Sequence, residues 1–134
     1  MPGPKPTVAI LGASADRSKF GNKSVRAHAR AGYEVYPINP AGGEIEGLAV
    51  YRSLAELPAD RLDRISVYLR PEIGLAVLDE MAAKAPAKSG TEIWFNPGSA
   101  SPALLTRARE LGLNVVPACS IVDLGLSPSQ FPDS

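Results

Sequence analysis

The chain alternates short apolar runs with amphipathic stretches. Val8-Ala-Ile-Leu11 sits between Thr7 and Gly12 without a polar interruption. Largely apolar runs recur at Tyr33–Asn39, Ile65–Leu69, Thr91–Phe95 and Asn114–Pro117, with a briefer one at Leu48–Tyr51. Apolar strands without strict alternation suit a parallel sheet covered on both faces. The segments between them read as helices. The first is expected from Phe20 or Gly21 to Ala31, with Asn22 as N-cap, Val25 and Ala29 on its inner face, and Gly32 closing it. Pro71 opens a second that reaches about Lys84, with Ile73, Val77 and Met81 as its stripe and Pro86 as its stop. Ser101 and Pro102 start a third, with Leu104, Leu105, Ala108 and Leu111 turned inward and Gly112 at its end. Ser53 caps a single turn through Leu57. Pro37 has no N–H to give a ladder and is unwelcome in a central strand, so the pairing of the second strand is expected to be short or bulged. Turns are expected at Ala41–Gly43, Ala87–Gly90 and Asn96–Gly98.

Strands alternating with helices imply an α/β chain with right-handed crossovers. The expected architecture is a three-layer, doubly wound parallel sheet in the order 3-2-1-4-5-6, with its switch point between strands one and four. Residues 1–134 read as one domain, with residues 1–6 and 127–134 as flexible ends. At the switch point two segments meet: the loop from Gly12 to Gly21 and the corner Leu69-Arg70-Pro71.

The first of these has the chemistry of an anion site. A strand stops at glycine, small residues follow (Ala13, Ser14, Ala15), and a helix begins behind a polar, basic loop. Glycine permits the tight turn and the close approach of a ligand. Unpaired N–H groups at the helix start then face the anion, aided by the helix dipole. A dinucleotide fingerprint would need glycine at Ser14 and Arg17 and an acid where the second strand ends on Asn39. Both requirements fail, which weakens the case for NAD. Arg17, Lys19, Lys23, Arg26 and Arg30 cluster in and after the loop against Asp16 alone. Arg17 and Lys19 are candidates for phosphate contact, with Lys23 a third; Arg26 and Arg30 read as a solvated helix face.

Composition narrows the classes of partner. Lysines and arginines number 14, as do aspartates and glutamates. A chain with no net charge has no global field for nucleic acid. The single cysteine, Cys119, cannot pair within the chain and fits a reducing compartment. Residues 1–6 are too polar and proline-rich for a signal peptide. No apolar run approaches the ~20 residues that a membrane span requires. The expected location is the cytoplasm.

Several segments together carry a family resemblance: Val8-Ala-Ile-Leu-Gly-Ala-Ser14, Lys19-Phe-Gly-Asn-Lys23, Gly32-Tyr-Glu-Val-Tyr-Pro-Ile-Asn-Pro40, Glu44-Ile-Glu-Gly47, Tyr51-Arg-Ser-Leu-Ala-Glu-Leu-Pro58 and Trp94-Phe-Asn-Pro-Gly98. Over roughly residues 7–125 the chain resembles the small single-domain CoA-binding proteins. It looks like the N-terminal CoA-binding domain of the succinyl-CoA synthetase α-subunit standing alone. The resemblance implies a Rossmann-like fold that holds coenzyme A, free or acylated, by its 3′-phospho-ADP end. Carried over by position, it implies that Gly12, Ala13 and Ser14 line the phosphates. Lys19, Phe20 and Gly21 would form the far side of the loop. Asn39 and Pro40 would lie near the nucleoside, and Leu69, Arg70 and Pro71 would close over the adenine or ribose. Arg70 stands where such proteins more often carry proline, and Asn96 where they carry glutamine.

Nothing in the sequence assembles a catalytic group. His28 reads as a packed or exposed helix residue with no partner at helical spacing. Cys119 reads as a buried, inert thiol, and Trp94 and Phe95 as core. Ser14 has no neighbouring base and no nucleophile elbow. The expectation is a CoA-binding module without chemistry of its own, alone or in a homo-oligomer or with a partner protein. Two alternatives stay open: an NAD(P)-binding oxidoreductase-like domain, and a regulatory or interaction protein with a vestigial nucleotide site.

Overall fold

A computed structural model of the chain describes residues 4–58, 61–86 and 88–134. The lead expected over residues 1–6 and the loop expected at 87–90 fall partly outside these residues. The strands are β1 (Thr7–Leu11), β2 (Glu34–Ile38), β3 (Glu44–Ile45), β4 (Leu48–Ala49), β5 (Arg64–Val67), β6 (Glu92–Phe95) and β7 (Asn114–Val116). The helices are α1 (Phe20–Arg30), α2 (Pro71–Ala76), α3 (Leu78–Lys84), α4 (Pro102–Glu110) and α5 (Ser120–Asp123), with single 3₁₀ turns at Leu54–Glu56 and Pro128–Gln130.

Five parallel strands form the main sheet in the order β2-β1-β5-β6-β7. Both faces of β1 are buried, and they serve different cores. Val8 and Ile10 pack with Val25 of α1, whereas Ala9 and Leu11 join Leu78, Met81, Leu104 and Ala108 on the other side. This period-two division puts helices on both faces, so the architecture is the three-layer, Rossmann-like one expected.

One expected strand is missing from the ladder. Leu48–Tyr51 was expected beside the second strand, completing 3-2-1-4-5-6. Instead Leu48 and Ala49 pair antiparallel with Glu44 and Ile45, and only Tyr51 reaches β2, by a single parallel bridge to Ile38. Pro37 supplies the reason. In a parallel strand a residue's N–H and C=O face the same side. The Pro37 carbonyl accepts from Tyr51 N–H at 3.0 Å on the outer edge. Its missing N–H therefore leaves a gap on that same edge, where a third strand would have needed a donor.

The helices differ from expectation in register more than in place. The expected Pro71–Lys84 helix breaks at Val77 (φ −109°, ψ 8°), where the N–H bonds back three residues to Gly74. The buried stripe becomes Gly74, Leu78, Met81 and Ala85, and Ile73 lies exposed. On α1 the inner face is Gly21, Ser24, Val25 and His28, while Ala29 is exposed. Lys19, not Asn22, is the N-cap, and it makes no side-chain capping bond. Ser101 does cap α4, accepting from Leu104 N–H at 3.2 Å. Trp94 and Phe95 are core, as expected, and Cys119 is half-buried.

The amino edge of the sheet is closed by a charged hub. Arg64, almost wholly buried, donates to Asp123 at 2.7 Å and Glu92 at 3.3 Å. Its guanidinium lies over the Trp94 ring at 4.9 Å and the Tyr33 ring at 5.3 Å. The tail 127–134, expected to be mobile, is seated on α1. Ser127 and Gln130 form a capping box, and Phe131 is 2% exposed against Ala27 and Ile121.

Candidate functional site

Three loops leave the carboxyl ends of adjacent strands and enclose a cleft of about 310 Å³. The loop after β1 gives Gly12, then Lys19, Phe20 and Gly21 at the start of α1. The corner after β5 gives Tyr68, Leu69 and Arg70. The turn after β6 gives Pro97, Gly98 and Ser99. Crevices outside the carboxyl ends of the strands, at the switch in strand order, are where open α/β sheets take their ligands.

The cleft depends on two close backbone approaches. Gly12 adopts φ +85°, and a Cβ there would stand 2.7 Å from the Tyr68 carbonyl oxygen. Gly21 lies directly under the Gly12 carbonyl, so any Cβ on Gly21 would collide with it. The start of α1 is thereby pressed against the strand turn. Its first N–H groups, those of Phe20 and Gly21, have no hydrogen-bond acceptor among the described residues. The first turn of α1 carries no acid. Both features suit an anion.

Side chains at the mouth divide into engaged and free. The Lys19 ammonium makes no hydrogen bond or ion pair with the described residues, although the backbone of Lys19 bonds to Asp16, Asn22 and Lys23. Among the described residues the Arg70 guanidinium pairs only with Glu72, at 3.4 Å, and both side chains are more than half exposed, so that pair restrains it little. Phe20 is 59% exposed, unusual for an aromatic, and it borders the same cleft. Arg17, expected beside the phosphates, turns away. Its Nε faces Glu46 at 3.4 Å without hydrogen-bond alignment, and its Nη1 donates to the Ser134 oxygen at 3.1 Å.

Other expected site residues hold the loop without lining the cleft. Ala13 is buried, and its N–H donates to the Ile38 carbonyl at 3.2 Å. The Ser14 hydroxyl accepts from Asp16 N–H at 3.1 Å. Asn39 brackets the loop from β2: its Nδ2 donates to the Ala13 carbonyl at 2.8 Å, and its Oδ1 accepts from Ala41 N–H at 2.8 Å. Asn22 brackets it from α1, donating to the Ser14 carbonyl at 2.9 Å and to Glu46 at 3.1 Å. Glu46 reaches these partners from a hairpin turn in the left-handed region, φ +51°. Pro40 is exposed and does not border the cleft, and Pro71 serves as the first residue of α2. Asp16 accepts from the Ser18 hydroxyl and N–H, and these bonds hold its carboxyl below the usual range.

The floor carries a buried polar network that sequence reading missed. Asn96 donates from Nδ2 to Ser66 Oγ and the Val67 carbonyl, both at 2.9 Å. Its Oδ1 accepts from Ser120 N–H at 2.8 Å. Ser120 Oγ meets Ser66 Oγ at 2.7 Å and Tyr68 Oη at 3.2 Å. Burial pushes the Tyr68 phenol up, so it stays protonated. Asn96 thus ties the Pro97–Ser99 wall to β5 and α5. The strand order already put the end of β6 beside the end of β5, and that was the available signal for this wall. Nothing in the sequence singled out Tyr68.

Among the described residues, no group of three or more His, Cys, Asp and Glu side chains could hold a metal ion. No helix there is long and apolar enough to cross a membrane.

Known proteins share this architecture. A conserved hypothetical protein from Pyrococcus furiosus superposes with a TM-score of 0.77 at 33% identity, over 88% of this chain and 98% of its own. Part of a dinucleotide-forming acetyl-coenzyme A synthetase from Candidatus Korarchaeum cryptofilum, solved with phosphate and ADP, superposes with a TM-score of 0.66 at 27% identity. That match covers 84% of this chain and 25% of the synthetase chain. By sequence, 84 residues are 36% identical to the α subunit of an ADP-forming acetate–CoA ligase from P. furiosus. The alignment covers 58% of this chain and only 18% of the ligase subunit. Residues 6–125 match the model of the CoA-binding domain, and the chain belongs to that family.

Proposed function

We propose that the chain binds coenzyme A through its 3′-phospho-ADP end, in the cleft between the β1 and β5 loops, and performs no chemistry of its own. The observation that carries this reading is the family match over residues 6–125, which includes every wall of the cleft. The residues present fit the ligand. The unpaired amides of Phe20 and Gly21 suit the diphosphate, with Gly12 leaving room for it. Lys19 and Arg70 stand on opposite sides of the mouth with little else to bind, as phosphate-reading cations should. Phe20 and Leu69 offer apolar surface to the base or the pantetheine arm. NAD fits less well. The position that would read its ribose is Asn39, whose amide is engaged at both ends by the loop.

The absence of own chemistry is supported by where the candidate groups lie. His28 is buried among Ser24, Tyr33 and Arg64, away from the cleft residues, and the Ser14 hydroxyl is held by Asp16 N–H. Calorimetry tests the whole reading. Coenzyme A should bind with micromolar affinity or better and NAD at least about tenfold more weakly. Acetyl-CoA incubated with the protein should release thiol no faster than in buffer. Equal affinity for NAD, or enzyme-dependent thiol release, would sink the proposal.

The two cations make a separate prediction. A charge-assisted hydrogen bond contributes roughly 1.5–3 kcal/mol, so Lys19→Ala and Arg70→Ala should each weaken coenzyme A about tenfold or more. The residue that reads the 3′-phosphate should affect coenzyme A more than dephospho-CoA. Titration of both variants with both ligands checks this. If neither variant loses affinity, these two side chains do not read the phosphates.

A further inference from the structure

We propose that residues 132–134 are a strap, anchored by Phe131, that occupies cations beside the α1 loop and must let go of them before a polyphosphate ligand is held at full strength. The proposal rests on the reading above only for the identity of the anion.

The tail divides into a fixed part and a loose part. Phe131 is buried with Ala27 and Ile121, and the guanidinium groups of Arg26 and Arg30 lie over its ring at 5.7 and 4.6 Å. Beyond this anchor each residue takes one cation. The Pro132 carbonyl accepts from Arg26 at 3.0 Å, Asp133 from Lys23 at 2.6 Å, and the Ser134 oxygen from Arg17 at 3.1 Å. These three residues are themselves exposed; the Asp133 side chain is 69% so, whereas Lys23 beneath it is 12% exposed. Contacts of exposed groups are weak individually, so the strap can lift while Phe131 stays seated.

The cations it holds adjoin the cleft. Lys23 lies one helical turn from Lys19, which lines the mouth, and its N–H bonds to the Lys19 carbonyl. Arg17 precedes Lys19 by two residues in the same loop. A carboxylate on Lys23 and a carbonyl on Arg17 use the donors that a phosphate would use. A ligand that needs them binds with an affinity reduced by the fraction of molecules in which they are free. The strap also lies outside the span shared with the family, which ends at residue 125.

The test compares the full chain with one ending at Phe131, and with Asp133→Asn, which removes an exposed carboxylate and keeps its size. Each is titrated at low salt with coenzyme A and, separately, with inorganic pyrophosphate. The shortened chain should bind one or both roughly three- to tenfold more tightly, Asp133→Asn should gain part of that, and high salt should erase the difference. Unchanged or weaker binding of both ligands, or no binding of either by any form, overturns the strap. A gain for pyrophosphate without any binding of coenzyme A leaves the strap standing and removes the CoA reading. Equal, tight binding of coenzyme A by all three forms, with no gain for pyrophosphate, does the reverse.

Discussion

Gly21→Ala should cost roughly 3 kcal/mol or more of folding stability, although alanine is the better helix former. In an exposed helix interior the change would gain about 1 kcal/mol. Here the new Cβ meets the Gly12 carbonyl, a backbone atom fixed by the turn out of β1. Neither side has a rotamer with which to yield. The start of α1 would have to move off the strand, carrying the Phe20 and Gly21 amides and the Lys19 side chain with it, so ligand affinity should fall together with stability. Gly74→Ala is the matched control. Gly74 is also helical and buried, but its Cβ would meet only the end of the Leu104 side chain, at 3.1 Å. A flexible methyl can shift by the few tenths of an ångström required, and the gain in helix propensity offsets the crowding. That variant should stay within about 1 kcal/mol of the parent. Urea denaturation of both variants decides the matter. A Gly21→Ala chain as stable as the parent would mean that the close approach does not hold α1 in place.

The glycine turn was legible in the sequence because its signals are local. An apolar run ending at Gly12, small residues and a second glycine before a helical pattern have few other structural meanings. The same holds for Pro71 and for the Ser101-Pro102 start of α4. What escaped was set by partners distant in sequence. Asn22 looks like a cap and Asn39 like a ligand contact, because both residue types favour helix starts and loop ends. Their carbonyl partners, Ser14 and Ala13, lie 8 and 26 residues away. The charge pattern was incomplete for a similar reason. Arg17, Lys23 and Arg26 form a cationic cluster along the chain, but the tail, more than 100 residues later, supplies their acceptors. The tail's composition gave no sign of this, since a single phenylalanine anchors it. The edge strand failed on a single atom: Pro37 was visible, and its direction relative to the edge was not.

Stability should also depend on pH below neutrality, through His28. The ring is fully buried, and desolvation, opposed by the bond to the Ser24 carbonyl and reinforced by Arg64, pulls its pKa down to about 4 from 6.5. The geometry explains which form is held. Arg64 Nη1, always a donor, faces Nε2 at 3.4 Å, so Nε2 is the acceptor and the Nδ1–H donates to the Ser24 carbonyl at 2.8 Å. A second proton would have to sit at Nε2, against the guanidinium. Between pH 6.5 and 4 the unfolded chain therefore binds a proton that the folded chain refuses. Stability rises with pH across that window and is lost as pH falls through it. The limiting slope is about 1.4 kcal/mol per pH unit. Measured from pH 6.5 down to pH 5, where most carboxylates are still ionised, unfolding free energy should drop by roughly 1–2 kcal/mol. In His28→Gln the drop over the same interval should largely vanish, whatever that substitution costs at neutral pH. A parent chain with a flat profile there, or an imidazole signal in the folded protein that titrates near 6.5, would show that the ring takes up its proton without opposition from Arg64 and the surrounding core.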